Sequence, residues 1–153
     1  FVRFDMDSES KIARYREFFT FCEKHLVPGG RLSLQTIGYG TMPGGRANQF
    51  IVDRIFPGSD LPFLSEIAAA SHGVLTIEDL ENRPEQYAWT CSRWAQRLKA
   101  RLPEAEKIVG SERSRDWYKF LKLSVAGFQT GALTLYRIVF RKPVRPGALV
   151  SLW

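Results

Sequence analysis

Gln35-Thr36-Ile37, closing a short apolar run, and the glycine-rich stretch Gly38-Tyr39-Gly40-Thr41-Met42-Pro43-Gly44-Gly45 behind it are the residues whose types and spacing invite chemistry. An amide and a hydroxyl at the carboxyl end of a strand lie where open α/β sheets receive their ligands. A glycine-rich loop between strand and helix is also where a phosphate would be cradled. Here the glycine spacing fits neither the dinucleotide fingerprint nor a P-loop, and no Gly-Lys-Ser/Thr follows. The loop therefore reads as a mobile flap over a site mouth. His25 and His72 each fall near a helix C-terminus, where a cation suits the dipole, and neither has a matched partner for a catalytic triad. Cys22 and Cys91 have neither metal-ligand nor Cys-x-x-Cys spacing. Each falls on the apolar face of an expected helix, so buried free thiols and no metal site are expected, in a reducing cytoplasm.

These groups need elements to hold them. Asp7 and Ser8 are N-caps for a helix over residues 8–26, with Ile12, Tyr15, Phe18, Phe19, Cys22 and Leu26 on one face. Pro28 blocks its continuation and Gly29 or Gly30 supplies the positive φ that a helix end favours. Leu32 and Leu34 then read as part of a strand over residues 31–37 buried on both faces, as in a parallel sheet. A short helix over 47–55, a turn-rich corner over 56–62, a helix over 63–71 and a strand over 74–80 follow. Arg83-Pro84 opens the longest helical stretch, with Tyr87, Cys91, Trp94 and Leu98 stacked on one face, until Pro103 breaks or kinks it. A further helix from residue 111 carries Trp117, Leu121, Val125 and Phe128 at matching intervals and stops at Gly131. The last strand, over 133–140, alternates Leu133, Leu135 and Val139 with Thr134, Tyr136 and Ile138. This order is an α/β half-sheet.

The 153 residues, 44% apolar and 25% charged, suit one globular domain, and no apolar run is long enough to span a bilayer. Residues 1–5 have neither the basic region nor the apolar core of a signal peptide, and the chain reads as a fragment of something longer. The net charge of +6 is spread along the chain among acidic residues. It reads as a solvated basic surface or as attraction to an anionic substrate (a phospholipid, an acyl thioester or a diphosphate), with peripheral contact to an anionic membrane and no nucleic acid.

At residues 28–37, Ile55-Phe56-Pro57-Gly58, Leu61-Pro62, residues 82–87, and Gly127-Phe128 with Gly131, the sequence resembles the cyclopropane fatty acid synthase family, which includes the mycolic acid cyclopropane synthases and methyltransferases. Pro-Gly-Gly before a strand is common to many methyltransferases. The combination of Leu-Gln-Thr-Ile, Ile-Phe-Pro-Gly and a Tyr opening a long helix is the specific part. The resemblance covers residues 1–143 and leaves 144–153 as a tail. It implies an α/β fold, the C-terminal half of a Rossmann-like class I methyltransferase sheet with inserted helices. It also implies methyl transfer from S-adenosylmethionine to a carbon of an unsaturated acyl chain or similar apolar substrate. The cofactor's glycine-rich loop, its ribose-binding acid and a catalytic Glu belong to the first half. Cofactor-binding residues are therefore expected upstream of Phe1, in a missing N-terminal half without which this chain is expected to be inactive.

In ring-forming relatives a bicarbonate ion is held by that Glu, a His on the strand, the backbone of an Ile two residues on, and a Tyr opening the long helix. By position, the resemblance assigns the last two roles to Ile37 and Tyr87, while Gln35 stands in place of the His. A glutamine amide still donates to an anion but carries no charge and relays no proton. Gln129 stands where an Arg often follows the Phe, and Arg137 where a Gln is common on the last strand. Phe56, Leu61 and Phe128 are the expected substrate wall; aromatic faces tolerate the carbocation that alkene methylation leaves, and water must be kept from it. Plainer readings stand beside these: Tyr87 as the first core-facing residue of its helix, Gln35 as a satisfied strand-end amide, and Phe56 and Phe128 as core aromatics. Two other functions also stand, a natural-product C- or N-methyltransferase of the same fold and a non-catalytic module that pairs with a partner chain through its exposed sheet edge and apolar tail.

Overall fold

The computed structural model describes residues 3, 5–41 and 49–144. Residues 42–45 of the expected flap, the start of the short helix at 47 and nearly all of the tail lie outside these residues, while the first two flap residues, Gly38 and Tyr39, belong to a strand. The elements run α1 (Ser8–His25), β1 (Arg31–Tyr39), a π-helical turn (Ile51–Ile55), α2 (Leu64–Ser71), β2 (Thr76–Asn82), α3 (Pro84–Ala100), α4 (Leu102–Val109), α5 (Ser111–Gln129) and β3 (Leu133–Arg141).

Local signals set most of these boundaries. The Asp7 carboxylate accepts the Ser10 N–H at 2.7 Å and starts α1. At the other end Lys142 Nζ donates to the carbonyls of Glu23 and Leu26, placing a cation on the C-terminal dipole. Gly29 takes a φ of 74°, and its N–H donates to the Lys142 carbonyl at 3.1 Å, so the Pro28–Gly30 turn is tied to the strand it must meet. Pro84 opens α3, and Pro103 enters the first turn of α4 rather than continuing α3. That division makes α5, at 19 residues, longer than the 17-residue α3.

The sheet has the order β1-β3-β2, with β3 antiparallel to both neighbours. The expectation that β1 lies in a parallel sheet, buried on both faces, is corrected here. β1 and β2 do run parallel to each other, but β3 lies between them. The burial of β1 alternates: Leu32 and Leu34 are half-buried while Arg31, Ser33 and Gln35 are exposed. Period-two burial is what a strand covered on one face shows. Only at Gly38 and Tyr39 do both faces close.

Two apolar clusters clothe the sheet. Phe19 of α1 and Ile67 and Ala70 of α2 pack with Tyr136, Ile138 and Phe140 on one face, backed by Leu32 and Leu34. Ala88 and Cys91 of α3 and Phe128 of α5 pack with Leu135 and Ile37 on the other. β1 is an edge strand of the sheet among the described residues, with β3 on one side only.

Cys91 is buried and Cys22 half-buried, both free, and burial pushes both thiols up from their ordinary range. No helix among the described residues is long and apolar enough to cross a membrane, and no cluster of His, Cys, Asp and Glu there could hold a metal ion.

Candidate active site

Two adjoining cavities meet at the carboxyl end of β1. The larger, of about 820 Å³, is lined by Leu34 to Ile37 of β1, Tyr15 and Phe18 of α1, Ser59 to Pro62, and Tyr87. The smaller, of about 380 Å³, is lined by Phe56, Trp94, Trp117, Phe120, Phe128 and Leu133 among others. Ile37, Ser59, Asp60, Leu61 and Tyr87 line both. These five residues form the wall that the two spaces share.

Tyr87 sits in that wall because Pro84 fixes the start of α3 and Tyr87 is the first residue of the helix to turn back onto the sheet. Its ring meets Phe128 edge-on at 5.3 Å and Trp94 at 6.0 Å. Burial, and then the neighbouring Cys91, push its hydroxyl above the usual phenol range, so Tyr87 stays protonated and is a hydrogen-bond donor at neutral pH. Gln35 lies on the exposed face of β1, opposite Arg137 in register, and lines the larger cavity with Tyr87. Arg137 Nε donates to Gln35 Oε1 at 3.1 Å. A guanidinium can only donate, so this contact fixes which end of the amide faces Arg137 and leaves the NH₂ as the outward donor. The two departures noted in the sequence, at 35 and 137, are thus one pair in space.

Leu61 lines both cavities, Phe128 is buried in the smaller, and Phe56 stands at its rim, 45% exposed and edge-on to Trp117 and Phe120. The structure therefore brings Gln35, Ile37, Leu61 and Tyr87 to one cavity, and Ile37, Phe56, Leu61, Tyr87 and Phe128 to the other.

The sequence reading missed what holds this wall. Asp60 accepts from Lys11 Nζ on one oxygen, and from the Tyr39 hydroxyl and the Leu61 N–H on the other. The side chains of Lys11 and Asp60 are 9% and 5% exposed. The Tyr39 N–H donates to the Pro62 carbonyl at 2.9 Å. A buried ion pair and a buried phenol thus clamp residues 59–62 against the end of β1. Next to it, Glu66 accepts from the Ser8 hydroxyl and the Phe63 N–H. Burial, then the charges of Glu66 and Asp60, raise the Tyr15 hydroxyl above its ordinary range. The one sequence signal for the clamp was an acid in an otherwise apolar turn-rich corner. Of the two rings that line the smaller cavity beside Phe128, Trp117 was legible only as part of a core-facing helix stripe, and Phe120 was not singled out.

Chemically, the smaller space is aromatic and aliphatic with a single polar wall, a shape that suits an alkyl chain. The larger one offers an amide, hydroxyls and main chain beside the exposed edge of β1.

A family model described as mycolic acid cyclopropane synthetase matches residues 2–138. Among curated proteins, the chain is 27% identical over 137 residues to the cyclopropane-fatty-acyl-phospholipid synthase of Escherichia coli (strain K12), which covers 90% of this chain and 36% of that protein. Among solved structures, the cyclopropane synthase MmaA2 from Mycobacterium tuberculosis superposes with a TM-score of 0.78 at 25% identity, over 86% of this chain and 50% of that one. Mycolic acid cyclopropane synthase CmaA1 complexed with SAH and CTAB gives 0.77 at 26% identity, over 85% and 50%. The chain spans about a third of the length of the first curated relatives and half of these structures.

Proposed function

The chain belongs to the mycolic acid cyclopropane synthetase family, and we propose that it forms the substrate side of an S-adenosylmethionine-dependent methyltransferase acting on a carbon of an unsaturated acyl chain or a comparably apolar substrate. The observation that carries this reading is the wall of Ile37, Leu61 and Tyr87 between an aromatic, chain-shaped cavity and a larger polar-edged one. An alkene is a poor nucleophile, so methylation needs it held close, in line and dry. Phe56, Trp117, Phe120 and Phe128 supply the dry wall, and their ring faces tolerate a developing cation.

S-adenosylmethionine, when bound, supplies the electrophilic methyl. The described residues offer the reacting end of such a site rather than its nucleoside cradle: of the two acids that line the larger cavity, Asp60 is committed to Lys11 and Tyr39, and Glu17 is paired with Arg14 on the exposed side of α1. The residues that grip the cofactor are accordingly assigned to an N-terminal half, which would extend the sheet along the free edge of β1. Gln35 through its NH₂, the Ile37 backbone and the Tyr87 hydroxyl would hold a bicarbonate-sized anion, which would supply a base for the proton lost after methylation. Arg137, through Gln35 Oε1, keeps positive charge beside that anion in place of the histidine the resemblance leads one to expect.

The natural-product alternative keeps the same wall with a compact substrate, and the Gln35–Arg137 pair is the feature that favours it. Mass spectrometry of cellular lipids after expression of the full-length protein separates the two. Unsaturated acyl chains should gain the mass of one CH₂. Unchanged lipids, with methyl transfer to a small metabolite, would sink the acyl reading.

A further inference from the structure

The outward face of α3 carries features that the packing of the helix does not use. Small residues, Ala88, Cys91 and Ala95, are buried on its inner side, where it packs on α5. On the opposite side Trp89, Arg93 and Arg97 follow one another at four-residue spacing, flanked by Thr90 and Trp94. Trp89 is 64% exposed and Trp94 45%. The Arg93 guanidinium lies 5.2 Å from the centre of the Trp89 ring. Neither Arg93 nor Arg97 is ion-paired among the described residues, and Glu85 in the first turn is the one acid of the helix. Two exposed indoles beside two free guanidiniums on one helix face are the composition of a surface that meets a polar–apolar boundary.

This face is also continuous with the smaller cavity. Trp94 lines the shallow groove of Trp89, Thr90, Arg93 and Arg97 on its outer side, and the aromatic cavity, with Tyr87 and Cys91, on its inner side. We propose that the Trp89–Arg93–Trp94–Arg97 face of α3 is a docking surface for an anionic phospholipid bilayer, which delivers an acyl chain past Trp94 into the cavity. The proposal rests on the acyl-chain reading of that cavity. The guanidiniums match the phosphate layer, and the indoles sit at headgroup depth. The chain's net charge of +6 adds long-range attraction. A bilayer accounts for both indoles and for the path inward, whereas an acidic protein partner accounts for the guanidiniums alone.

The test compares the full-length enzyme with its Trp89→Ala/Arg93→Gln/Arg97→Gln variant, which leaves Trp94 and the rest of the cavity wall intact. Sedimentation with vesicles of phosphatidylglycerol and phosphatidylcholine should show partitioning reduced on the order of tenfold in the variant. Raised salt should weaken the parent in the same direction. Lys24→Gln/Lys122→Gln, equal in charge lost to the two arginine changes, should partition as the parent does. Activity on a dispersed short-chain unsaturated substrate should survive in the triple variant, which also certifies its fold, while activity on vesicle lipid falls. Unchanged vesicle binding in the triple variant, or an equal loss in the lysine control, overturns the proposal. So does loss of binding to an acidic acyl carrier protein with vesicle affinity intact, which would give the face to a protein partner. If the enzyme binds vesicles through this face yet methylates no acyl chain, the docking surface stands and the acyl reading of the cavity fails.

Discussion

Tyr87→Phe in the full-length enzyme is expected to lower turnover on the order of a hundredfold, with cofactor affinity nearly unchanged. The substitution removes one hydroxyl and nothing else. The ring keeps its edge-on contacts with Phe128 and Trp94, so α3 stays seated on the sheet. What is lost is a protonated donor in the wall shared by the two cavities. A donor that orients the base acts in the transition state, so its removal reads in kcat rather than in binding. Steady-state kinetics together with calorimetric titration of S-adenosylhomocysteine separate the two. Parallel losses in both would make Tyr87 a packing residue only.

The second large effect is expected beneath the same wall. Lys11→Met leaves the Asp60 carboxylate buried with its cation gone, which should lower the unfolding free energy by about 3–5 kcal/mol, since an uncompensated buried charge is far costlier than a missing contact. The melting temperature should fall on the order of 10 °C. Adding Asp60→Asn removes the charge while keeping an oxygen for the Tyr39 hydroxyl and the Leu61 N–H. The double variant should therefore recover much of the loss, giving a large favourable coupling in a thermodynamic cycle. Additive losses, measured by urea denaturation, would mean that the pair is relaxed and solvated in solution.

The sequence disclosed those parts of the molecule that are written locally. Asp7 before a three-and-four stripe, Pro28-Gly29-Gly30 after it, and Pro84 ahead of Tyr87 each carry a backbone reason of their own, and the corresponding helices begin and end there. Strand pairing is not written that way. Leu32 and Leu34 show that β1 has one apolar face, but nothing near them says that the last strand of the chain inserts beside them. Reading the run as a doubly buried parallel strand passed over Ser33 and Gln35, whose alternation already marked a solvated face.

The candidate site divides along the same line. Gln35, Ile37 and Tyr87 were legible as a group only through resemblance, because 52 positions separate the outer two, and their common cavity is a product of the fold. The Lys11–Asp60–Tyr39 clamp left no more than the acid in its apolar corner to read: a lysine on an otherwise polar helical turn reads as surface, and it is buried because Asp60 is brought to it from 49 residues away. Trp94 shows the limit of periodicity most clearly. Its spacing with Tyr87 and Cys91 assigns it to the inner face, yet it is nearly half exposed, since periodicity orders residues around a helix without saying how far the neighbouring elements reach.

The central claim is that the two cavities form one dry chamber meeting at Tyr87. Its most direct test is a crystal structure of the full-length enzyme with S-adenosylhomocysteine and a long-chain alkyl amphiphile. The expected result is an alkyl tail lying among Phe56, Trp117, Phe120 and Phe128, with its other end reaching Ile37 and Tyr87 at the mouth of the cofactor site. A tail bound elsewhere, with protein packed between Tyr87 and the aromatic cavity, would contradict it.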